Sequence, residues 1–270
     1  MRFIKNPKVS IIMGIYNCEE TLPQAVDSLL SQTYSNIEII MCDDGSTDNT
    51  FKIALDYASQ HNNIVLLKNE KNEGLAFALN KCLESSNGTL IARQDGDDIS
   101  TVDRIRKQVD TFLACNGISI VSTGTAHFDE NGIWAHIFPP PSPSKSDFIN
   151  GSPFCHGSAM IKKSSILAVK GYDSTKKSLR AEDYDLWFRM YATGFTGVNI
   201  QEMLYFVKDD RNAMNRRKFK YRLIEMYIRY KGYKLLKIPY RKYIYILRPL
   251  AVGFIPRKVY YFIRKKKYSY

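Results

Sequence analysis

The most chemically suggestive stretch of the sequence is a short acidic turn, Arg93-Gln94-Asp95-Gly96-Asp97-Asp98. Its three carboxylates directly follow the apolar run Leu90-Ile91-Ala92, which predicts a buried strand. Like charges this close repel one another, and a shared hard cation such as Mg²⁺ or Mn²⁺ would stabilise them and also take phosphate oxygens of a substrate. Alone, the turn is equally consistent with a solvated acidic turn or a helix N-cap. Its place after a strand favours a metal site.

A second acidic pair, Asp43 and Asp44, follows another apolar run, Ile37 to Met41. Strand-like and helix-like patterns alternate four times up to residue 92, which predicts βαβ units and a mainly parallel sheet. The carboxyl ends of parallel strands lie at one edge of a sheet, so both acidic turns are expected to face a common crevice. The sequence contains neither G-x-G-x-x-G nor a P-loop motif, so phosphates would be held through the metal.

Hydrophobic periodicity places the elements that would position these turns. In the first half, strands are predicted at 9–15, 37–41, 64–67 and 90–92, and helices at 21–32, 50–60 and 74–85. In the second half, a helix is predicted at 101–115, strands at 118–122, 125–128, 133–138 and 154–161, and a hairpin turn at 129–132. The proline-rich segment 139–144 cannot pair within a sheet and is predicted as an exposed loop, either a lid or a simple connector.

Two further carboxylates, Glu182 and Asp183, begin a stretch in which Leu186, Trp187 and Met190 recur at helical spacing. Carboxylates at the start of a helix complement its dipole, so helix capping alone explains the pair. The functional alternative is a general base held at the mouth of the crevice.

Charge is distributed unevenly along the chain. Residues 208–270 carry 20 Lys or Arg and 3 Asp or Glu, a balance of +17, whereas residues 1–207 carry 19 and 24, a balance of −5. The basic segment also holds 11 of the 18 tyrosines. Such a mixture suits nucleic acid, an anionic membrane surface or a solvated basic helix. Its apolar residues, among them Ile244, Leu250 and Phe254, favour the membrane.

Composition and cysteine usage predict a cytosolic globular protein. A chain of 270 residues with 44% hydrophobic and 24% charged residues fits one large α/β domain, or one domain with an appendage. The five cysteines are widely spaced without a C-x-x-C pair, which favours free thiols in a reducing compartment. No apolar run has the length of a signal-peptide core or of a membrane-spanning helix.

Five segments, taken in order, resemble the family-two inverting glycosyltransferases of the GT-A fold: VSIIMGIYN, CDDGSTDNT, KNEGLAFALN, ARQDGDD and AEDYDLWFR. They span about residues 7–207. The resemblance implies a Rossmann-like α/β sheet and inverting transfer of a sugar from a nucleotide-diphospho-sugar, commonly UDP-linked, to an acceptor hydroxyl. The Q-x-x-R-W signature of processive synthases is missing, which implies addition of a single sugar. Similar bacterial enzymes build capsule, lipopolysaccharide or exopolysaccharide, often on polyprenyl-diphosphate-linked acceptors.

The resemblance also implies roles for individual residues. Those implied to bind the donor are Ile15, Tyr16, Asp43, Asp44, Arg93, Asp95 and His156. Those implied to hold Mn²⁺ or Mg²⁺ are Asp97, Asp95 and Asp98. Asp183 matches the family's catalytic base, supported by Glu182. Arg93 or Arg104 would replace the basic residue that is missing after Gly74, and His156 is equally well explained as a structural histidine.

The predicted organisation is a catalytic domain at 1–207, with a nucleotide-sugar-binding half (1–100) and an acceptor-binding half (101–207), and a basic helical tail at 208–270. The tail would hold the protein at the inner face of the bacterial plasma membrane, and nucleic acid is not the expected partner. Alternatives are a nucleotidyltransferase, which would need a basic Gly-rich phosphate loop, and a nucleic-acid-binding protein acting through the tail. A relative that binds nucleotide-sugar without catalysis is a third.

Overall fold

A computed structural model describes residues 6–208, 219–253 and 259 of the chain. Within these residues, nine strands form one sheet and helices cover both of its faces. The strands are β1 (Val9–Ile15), β2 (Ile37–Asp43), β3 (Ile64–Lys68), β4 (Leu90–Arg93), β5 (Ile99–Ser100), β6 (Ile120–Asp129), β7 (Gly132–Ile137), β8 (Met160–Lys162) and β9 (Gly197–Lys208). The helices are α1 (Leu22–Leu30), α2 (Thr50–Gln60), α3 (Leu75–Ser85), α4 (Arg104–Ala114), α5 (Lys163–Ala168), α6 (Glu182–Ala192), α7 (Phe219–Leu236) and α8 (Arg248–Gly253), with 3₁₀ helices at Asp147–Ile149 and Tyr240–Leu247.

The sheet has a parallel half and a mixed half. Strands β3, β2, β1 and β4 are neighbours in this order and run parallel, as the alternation of strands and helices predicted. Beyond β4, β8 pairs antiparallel with both β4 and β6, and β6 pairs parallel with β9. The predicted hairpin is formed by β6 and β7. A mainly parallel α/β sheet is thus confirmed for the first half, to which the second half adds antiparallel neighbours.

The elements of the first half lie within two residues of their predicted bounds, but the strand predicted at 154–161 is wrong for most of its length. Only Met160–Lys162 joins the sheet. The preceding residues bond to a side chain of β6 instead: Ser122 Oγ accepts from Cys155 N at 3.2 Å and lies 3.0 Å from Ser158 Oγ. Side-chain hydrogen bonds therefore replace the backbone ladder that the apolar run suggested.

Both faces of the sheet are packed, which explains why its central strands are continuous apolar runs. Every residue of β2 is buried, as are six of the seven in β1. The core on one face includes Ile12, Ile40, Leu79, Trp187 and Tyr233, and that on the other includes Ile11, Ile39, Val26, Leu29 and Phe112. With both faces covered, the carboxyl edge of the parallel strands is left as the place for a cleft.

The proline-rich segment is a fixed connector rather than a lid. Asn199 of β9 donates from Nδ2 to Pro140 O at 2.6 Å and from its backbone N to Pro141 O at 2.8 Å. Tyr191 of α6 donates from Oη to Pro143 O at 3.0 Å. Because the prolines lack N–H groups, their carbonyls carry these bonds and hold the segment against the domain.

Helix α7 belongs to the domain's core, although the sequence predicted a tail from residue 208 onward. Its residues Ile228 and Tyr233 are at most 1% exposed and lie in the same core as α6. Lys231 Nζ lies 2.9 Å from Oδ1 of Asp185, a buried carboxylate of α6. The other parts of the predicted tail, residues 209–218, 254–258 and 260–270, lie outside the described residues. No helix in the described part of the chain is long and apolar enough to cross a membrane.

Gly232 marks a close approach of α7 to α6 and provides a test of this packing. A Cβ at this position would lie 2.3 Å from carbon atoms of the Phe188 ring. At a solvent-exposed position inside a helix, a Gly→Ala substitution stabilises the fold by about 1 kcal/mol. Here we expect Gly232→Ala to lower the free energy of unfolding by about 1–3 kcal/mol, because the methyl group overpacks the contact. Thermal unfolding measures the change, with Lys220→Ala at an exposed position of α7 as control. A Tm at or above that of the wild type would contradict the packing.

Candidate active site

A cleft of about 710 Å³ opens at the carboxyl ends of β1, β2 and β4, a volume typical of small-molecule sites. Ile15 lines it after β1, Asp44 after β2, and Asp95 and Asp97 after β4. Glu182, at the start of α6, lines the same cleft. The parallel half of the sheet therefore brings the two acidic turns together, as the sequence predicted.

The turn after β1 forms a wall of the cleft that includes Ile15 and the ring of Tyr16. Ile15 is 1% exposed, whereas the ring of Tyr16 is 46% exposed and is available to a ligand. The turn is held by Asn17, whose φ of 46° lies in the left-handed region that asparagine tolerates. Its Oδ1 accepts from Thr47 N at 2.9 Å, which joins this turn to the one after β2. Such a wall suits the flat face of a nucleobase.

The two carboxylates after β2 differ in position. Asp44 lines the cleft and is fixed by its neighbours: Oδ1 accepts from Asn69 Nδ2 at 2.8 Å, and Oδ2 accepts from Gly74 N at 2.8 Å. Asp43 is fully buried and does not line the cleft; its Oδ2 accepts from Ser46 N at 3.2 Å. Of this pair, both predicted to bind the donor, only Asp44 lines the cleft, and Asp44 also holds the loop that leads into α3.

Arg93, which the resemblance predicts to bind the donor, does not line the cleft. Both terminal nitrogens of its guanidinium donate to the two carboxylate oxygens of Asp95. The side chain is buried; burial opposes its charge, but Asp95 more than offsets this, so the pKa of Arg93 is raised. Arg104, the other predicted replacement, is also buried and donates from Nη1 to Arg93 O at 3.0 Å. These cations orient the acidic turn and are not free to bind phosphate.

Asp98 differs from the other carboxylates of the acidic turn, and its role as a metal ligand stays a prediction. It is 4% exposed and does not line the cleft. Its Oδ1 accepts from Lys208 N at 2.8 Å, so it ties the acidic turn to the end of β9. Burial, and then the charges of Asp95 and Asp97, raise its pKa well above the usual range.

Asp97 is the carboxylate that best fits a divalent cation. It is half-buried and lines the cleft beside Asp95. Among the described residues, no three His, Cys, Asp or Glu side chains converge on a point that would hold a metal by themselves. Mg²⁺ and its analogues are, however, commonly held by one or two carboxylates together with substrate phosphates and water. The donor set of Asp97 and Asp95 is suited to that arrangement and not to a closed structural site.

The carboxylates of α6 stand at its positive end. Glu182, Asp183 and Asp185 all lie in the first turn, where the dipole favours negative charge. Glu182 is 8% exposed and lines the cleft, and burial raises its pKa. Asp183 is half-buried and does not itself line the cleft; burial, and then the charge of Glu182, raise its pKa to about 6. Both carboxyls therefore have the basicity that a proton acceptor needs.

His156 is a neutral, packed histidine and does not line the cleft. Its Nε2 lies 3.0 Å from Tyr172 Oη, and its ring packs edge-on against Trp187 of α6 at 6.3 Å. Burial, and then the charge of Arg93, lower its pKa well below 6.5. The structure thus favours the structural interpretation of His156 over contact with a donor diphosphate.

Among the cleft residues that the sequence analysis did not assign to the site, three belong to the second half of the chain or to the basic segment. Arg180 precedes α6, Lys208 ends β9 and Tyr221 lies in α7, and all three line the cleft. The loop at 173–180 carries no motif, and the composition of the basic segment does not say which of its many Tyr and Lys residues turns inward. An arginine directly before the AEDYDLWFR segment was the available signal for Arg180.

Comparison with known proteins agrees with this geometry. Residues 10–169 match the family described as Glycosyl transferase family 2. The chain is 44% identical over 262 residues to the putative glycosyltransferase EpsE of Bacillus subtilis (strain 168), covering 97% of this chain and 94% of that protein. It is 31% identical over 273 residues to a UDP-Gal:alpha-D-GlcNAc-diphosphoundecaprenol beta-1,3-galactosyltransferase of Escherichia coli, covering 96% of each.

Solved structures share the fold. S. aureus TarS 1–349 in complex with UDP superposes with a TM-score of 0.69 at 15% identity, covering 93% of this chain and 76% of that one. The mannosyltransferase PcManGT from Pyrobaculum calidifontis, in complex with GDP-Man and Mn²⁺, gives 0.63 at 17% identity, covering 96% and 79%. The likeness confirms the GT-A fold. Together with the family match and the relatives of nearly equal length, it establishes that this chain is a glycosyltransferase belonging to glycosyl transferase family 2.

Proposed function

We propose that the protein transfers one sugar from a UDP-hexose or UDP-N-acetylhexosamine to a hydroxyl of a lipid-linked glycan during assembly of a bacterial surface polysaccharide. The observation that carries this proposal is that Asp97, at the end of β4, and Glu182, at the start of α6, line one cleft. Two relatives from Escherichia coli, named for UDP-Gal and UDP-Glc donors and a GlcNAc-diphosphoundecaprenol acceptor, support the choice of substrates.

The donor would lie along the acidic edge of the sheet. Its base would stack on the exposed ring of Tyr16 beside Ile15, and its ribose would approach Asp95. Asp97, with Asp95 beside it, would hold Mn²⁺ or Mg²⁺ against the diphosphate. When bound, the metal offsets the negative charge that builds on the departing nucleoside diphosphate.

The acceptor hydroxyl would be deprotonated at the start of α6. Asp183, supported by Glu182, is the proposed base, since a pKa of about 6 keeps it ionised at neutral pH yet more basic than an ordinary aspartate. Attack on the anomeric carbon from the side opposite the diphosphate breaks the sugar–phosphate bond as the new bond forms, so an α-linked donor gives a β-glycoside. The β-1,3 linkage in the names of both Escherichia coli relatives supports inversion.

We also propose that the exposed face of the C-terminal helices docks on an anionic membrane. On α7, large apolar or aromatic side chains that are 44–51% exposed recur at Phe219, Leu223, Tyr227 and Tyr230. In the following 3₁₀ helix, Tyr240, Ile244 and Leu247 are 85%, 65% and 48% exposed. Lysine ammonium groups lie over tyrosine rings on the same helices. Lys234 Nζ is 4.8 Å from the centroid of the Tyr230 ring, and Lys242 Nζ is 5.5 Å from the centroid of the Tyr245 ring. Rings, apolar side chains and cations together match the headgroup region of a bilayer.

Two other functions considered from the sequence account less well for the same features. A nucleotidyltransferase explains the acidic turns, but not the match to glycosyl transferase family 2. A nucleic-acid-binding protein explains the basic segment, but not a cleft lined by Asp44, Asp95 and Asp97. A relative without catalysis is disfavoured because carboxylates occupy both the donor and the base positions.

The role of Asp97 can be separated from that of its neighbour. We expect Asp97→Asn to reduce release of nucleoside diphosphate from the preferred sugar donor by about 100-fold or more, the scale of losing one preorganised electrostatic contact. Asp98→Asn is the matched control and is expected to keep most of the activity, because Asp98 is buried away from the cleft. The assay uses Mn²⁺ with a panel of UDP-, GDP- and dTDP-sugars, with and without EDTA. Equal losses in both variants would refute the assignment of the metal to Asp97.

The raised pKa of Asp183 predicts opposite effects on activity and stability. Its folded pKa of about 6 exceeds the ordinary 3.8, so folding favours the protonated form, and this contribution to stability is lost as pH rises from about 4 through 6. We therefore expect Asp183→Asn to raise Tm relative to the wild type increasingly over that range, while abolishing transfer. Wild-type activity should fall below pH 6 as the base is protonated.

The pair of variants Asp183→Asn and Glu182→Gln distinguishes the base from its neighbour. Tm measured from pH 4 to 8 and the pH dependence of kcat provide the two readouts. Transfer lost only in Glu182→Gln would identify Glu182 rather than Asp183 as the base. A Tm difference that does not change with pH would contradict the raised pKa of Asp183.

Membrane docking is tested by one exposed side chain of the 3₁₀ helix. Ile244→Glu removes an apolar group and adds a negative charge, so we expect binding to vesicles of phosphatidylcholine and phosphatidylglycerol to weaken about tenfold or more. Leu55→Glu, at a 50% exposed position of α2, makes the same change elsewhere and should not alter binding. A point substitution is a cleaner test than deleting the chain beyond about Lys234. The deletion would also remove Leu236 and Ile238, which are buried and contribute to the folded domain. Equal vesicle binding by all three proteins would reject the docking surface.

A further inference from the structure

The cleft is lined by cations as well as by carboxylates. Asp44, Asp95 and Asp97 line it at the carboxyl ends of the strands, whereas Arg180 lines it from the loop before α6. Lys208, at the end of β9, also lines the cleft, but its backbone N donates to Asp98 of the acidic turn, so it lies on the side proposed for the donor. A cation that comes from outside the acidic turn is suited to an anionic ligand group other than the donor diphosphate.

Arg180 is held in an unfavourable backbone conformation. Its φ is 67°, in the left-handed region that costs a non-glycine residue about 1 kcal/mol. The preceding turn enforces it: Ala181 N donates to Ser178 O at 2.8 Å, and Ser178 N donates to Thr175 O at 3.2 Å. Residues kept in such conformations cluster at ligand sites, because the surrounding structure fixes where their side chains lie.

An aromatic ring supports the guanidinium of Arg180. Its Cζ lies 6.0 Å from the centroid of the Tyr221 ring, at the limit of a cation–π contact. Both side chains line the cleft, although Tyr221 belongs to α7 and Arg180 to the loop before α6. A planar guanidinium beside a ring keeps its N–H donors for a ligand and is suited to bidentate recognition of phosphate.

The position of Arg180 and Tyr221 indicates whether they bind the diphosphate of the donor or that of the acceptor. Arg180 stands two residues before Glu182, on the side where the acceptor hydroxyl must lie if α6 carries the base, and its charge opposes the burial-driven rise in the pKa of Glu182. Tyr221 lies on the helix whose outer residues, from Leu223 to Tyr230, form the proposed membrane surface. The donor diphosphate, by contrast, is assigned to Asp97 in the acidic turn. An anion bound at Arg180 would therefore be one carried by the acceptor.

We infer that Arg180, with Tyr221 beside it, forms a subsite for the diphosphate of a prenyl-diphosphate-linked acceptor. This inference rests on the proposed function and adds the residues that recognise the acceptor's anionic group. On this basis the cleft holds two diphosphates, one through a metal on carboxylates and one through the guanidinium of Arg180. The separation keeps the acceptor diphosphate from competing for the donor position.

Binding without turnover tests the subsite directly. Farnesyl diphosphate serves as probe in the presence of Mn²⁺ and saturating UDP, which fills the donor position. The variants are Arg180→Asn, since asparagine tolerates a left-handed φ, and Arg180→Lys, with Lys177→Asn as control because Lys177 is an exposed cation of the same loop that does not line the cleft. We expect the Kd of Arg180→Asn to rise about tenfold, the scale of one lost charge-assisted contact, with a smaller rise in Arg180→Lys and none in Lys177→Asn.

A turnover assay separates recognition from support of the base. Acceptors with the same sugar on a prenyl diphosphate or on a neutral alkyl chain are compared, and the ratio of their kcat/KM values should fall about tenfold in Arg180→Asn, through KM. An unchanged ratio, or farnesyl diphosphate affinity equal in Arg180→Asn and wild type, would overturn the subsite. Failure of the proposed function has a different signature: the wild type would neither bind UDP nor release it from any donor.

Discussion

The ion pair between Arg93 and Asp95 is the interaction on which the acidic cleft depends. A fully buried guanidinium is unstable without a partner, and a cluster of carboxylates is costly without a cation. Arg93 meets both needs at the end of β4, the strand from which the acidic turn departs. Its charge also partly offsets the burial that raises the pKa of Glu182 and Asp183, and it adds to the burial that lowers the pKa of His156. One buried cation thus allows carboxylates from two distant segments to stand near one another.

The acidic turn is fixed from several directions, which leaves little reorganisation for ligand binding. Asp95 N donates to Tyr205 Oη at 3.0 Å, and the Tyr205 ring lies 5.3 Å from Cζ of the buried Arg104. Asp98 adds the bond to the backbone of Lys208. Strand β9 therefore supports the turn from the second half of the chain, while β1 and β4 position it from the first. A preorganised set of charges of this kind is what stabilises charge developing on a leaving group.

The sequence analysis predicted the features that depend on local sequence. It missed those that depend on the direction of a side chain or on a contact between distant segments. Periodicity located β1 to β4 because each is a continuous apolar run bounded by turns, and parallel pairing then required the acidic turns to meet. It could not show that Asp97 faces the cleft while Asp98 turns to β9, since adjacent side chains in a turn diverge in ways that spacing does not encode. Nor could it find Tyr221 or the role of Arg93, because both depend on tertiary packing.

Helix α7 connects the proposed chemistry to the proposed membrane surface. Its inner face packs on α6 through Tyr233 and the Lys231–Asp185 pair, and α6 begins with Glu182 and Asp183. Its outer face carries the exposed aromatic residues. Since protein interiors are close-packed, the packing of these two helices would fix the height of the proposed base above a docked bilayer. A lipid-linked acceptor, held near the headgroups by its diphosphate, would then present its sugar hydroxyl at a set distance, and the reach of its sugars would select the acceptor.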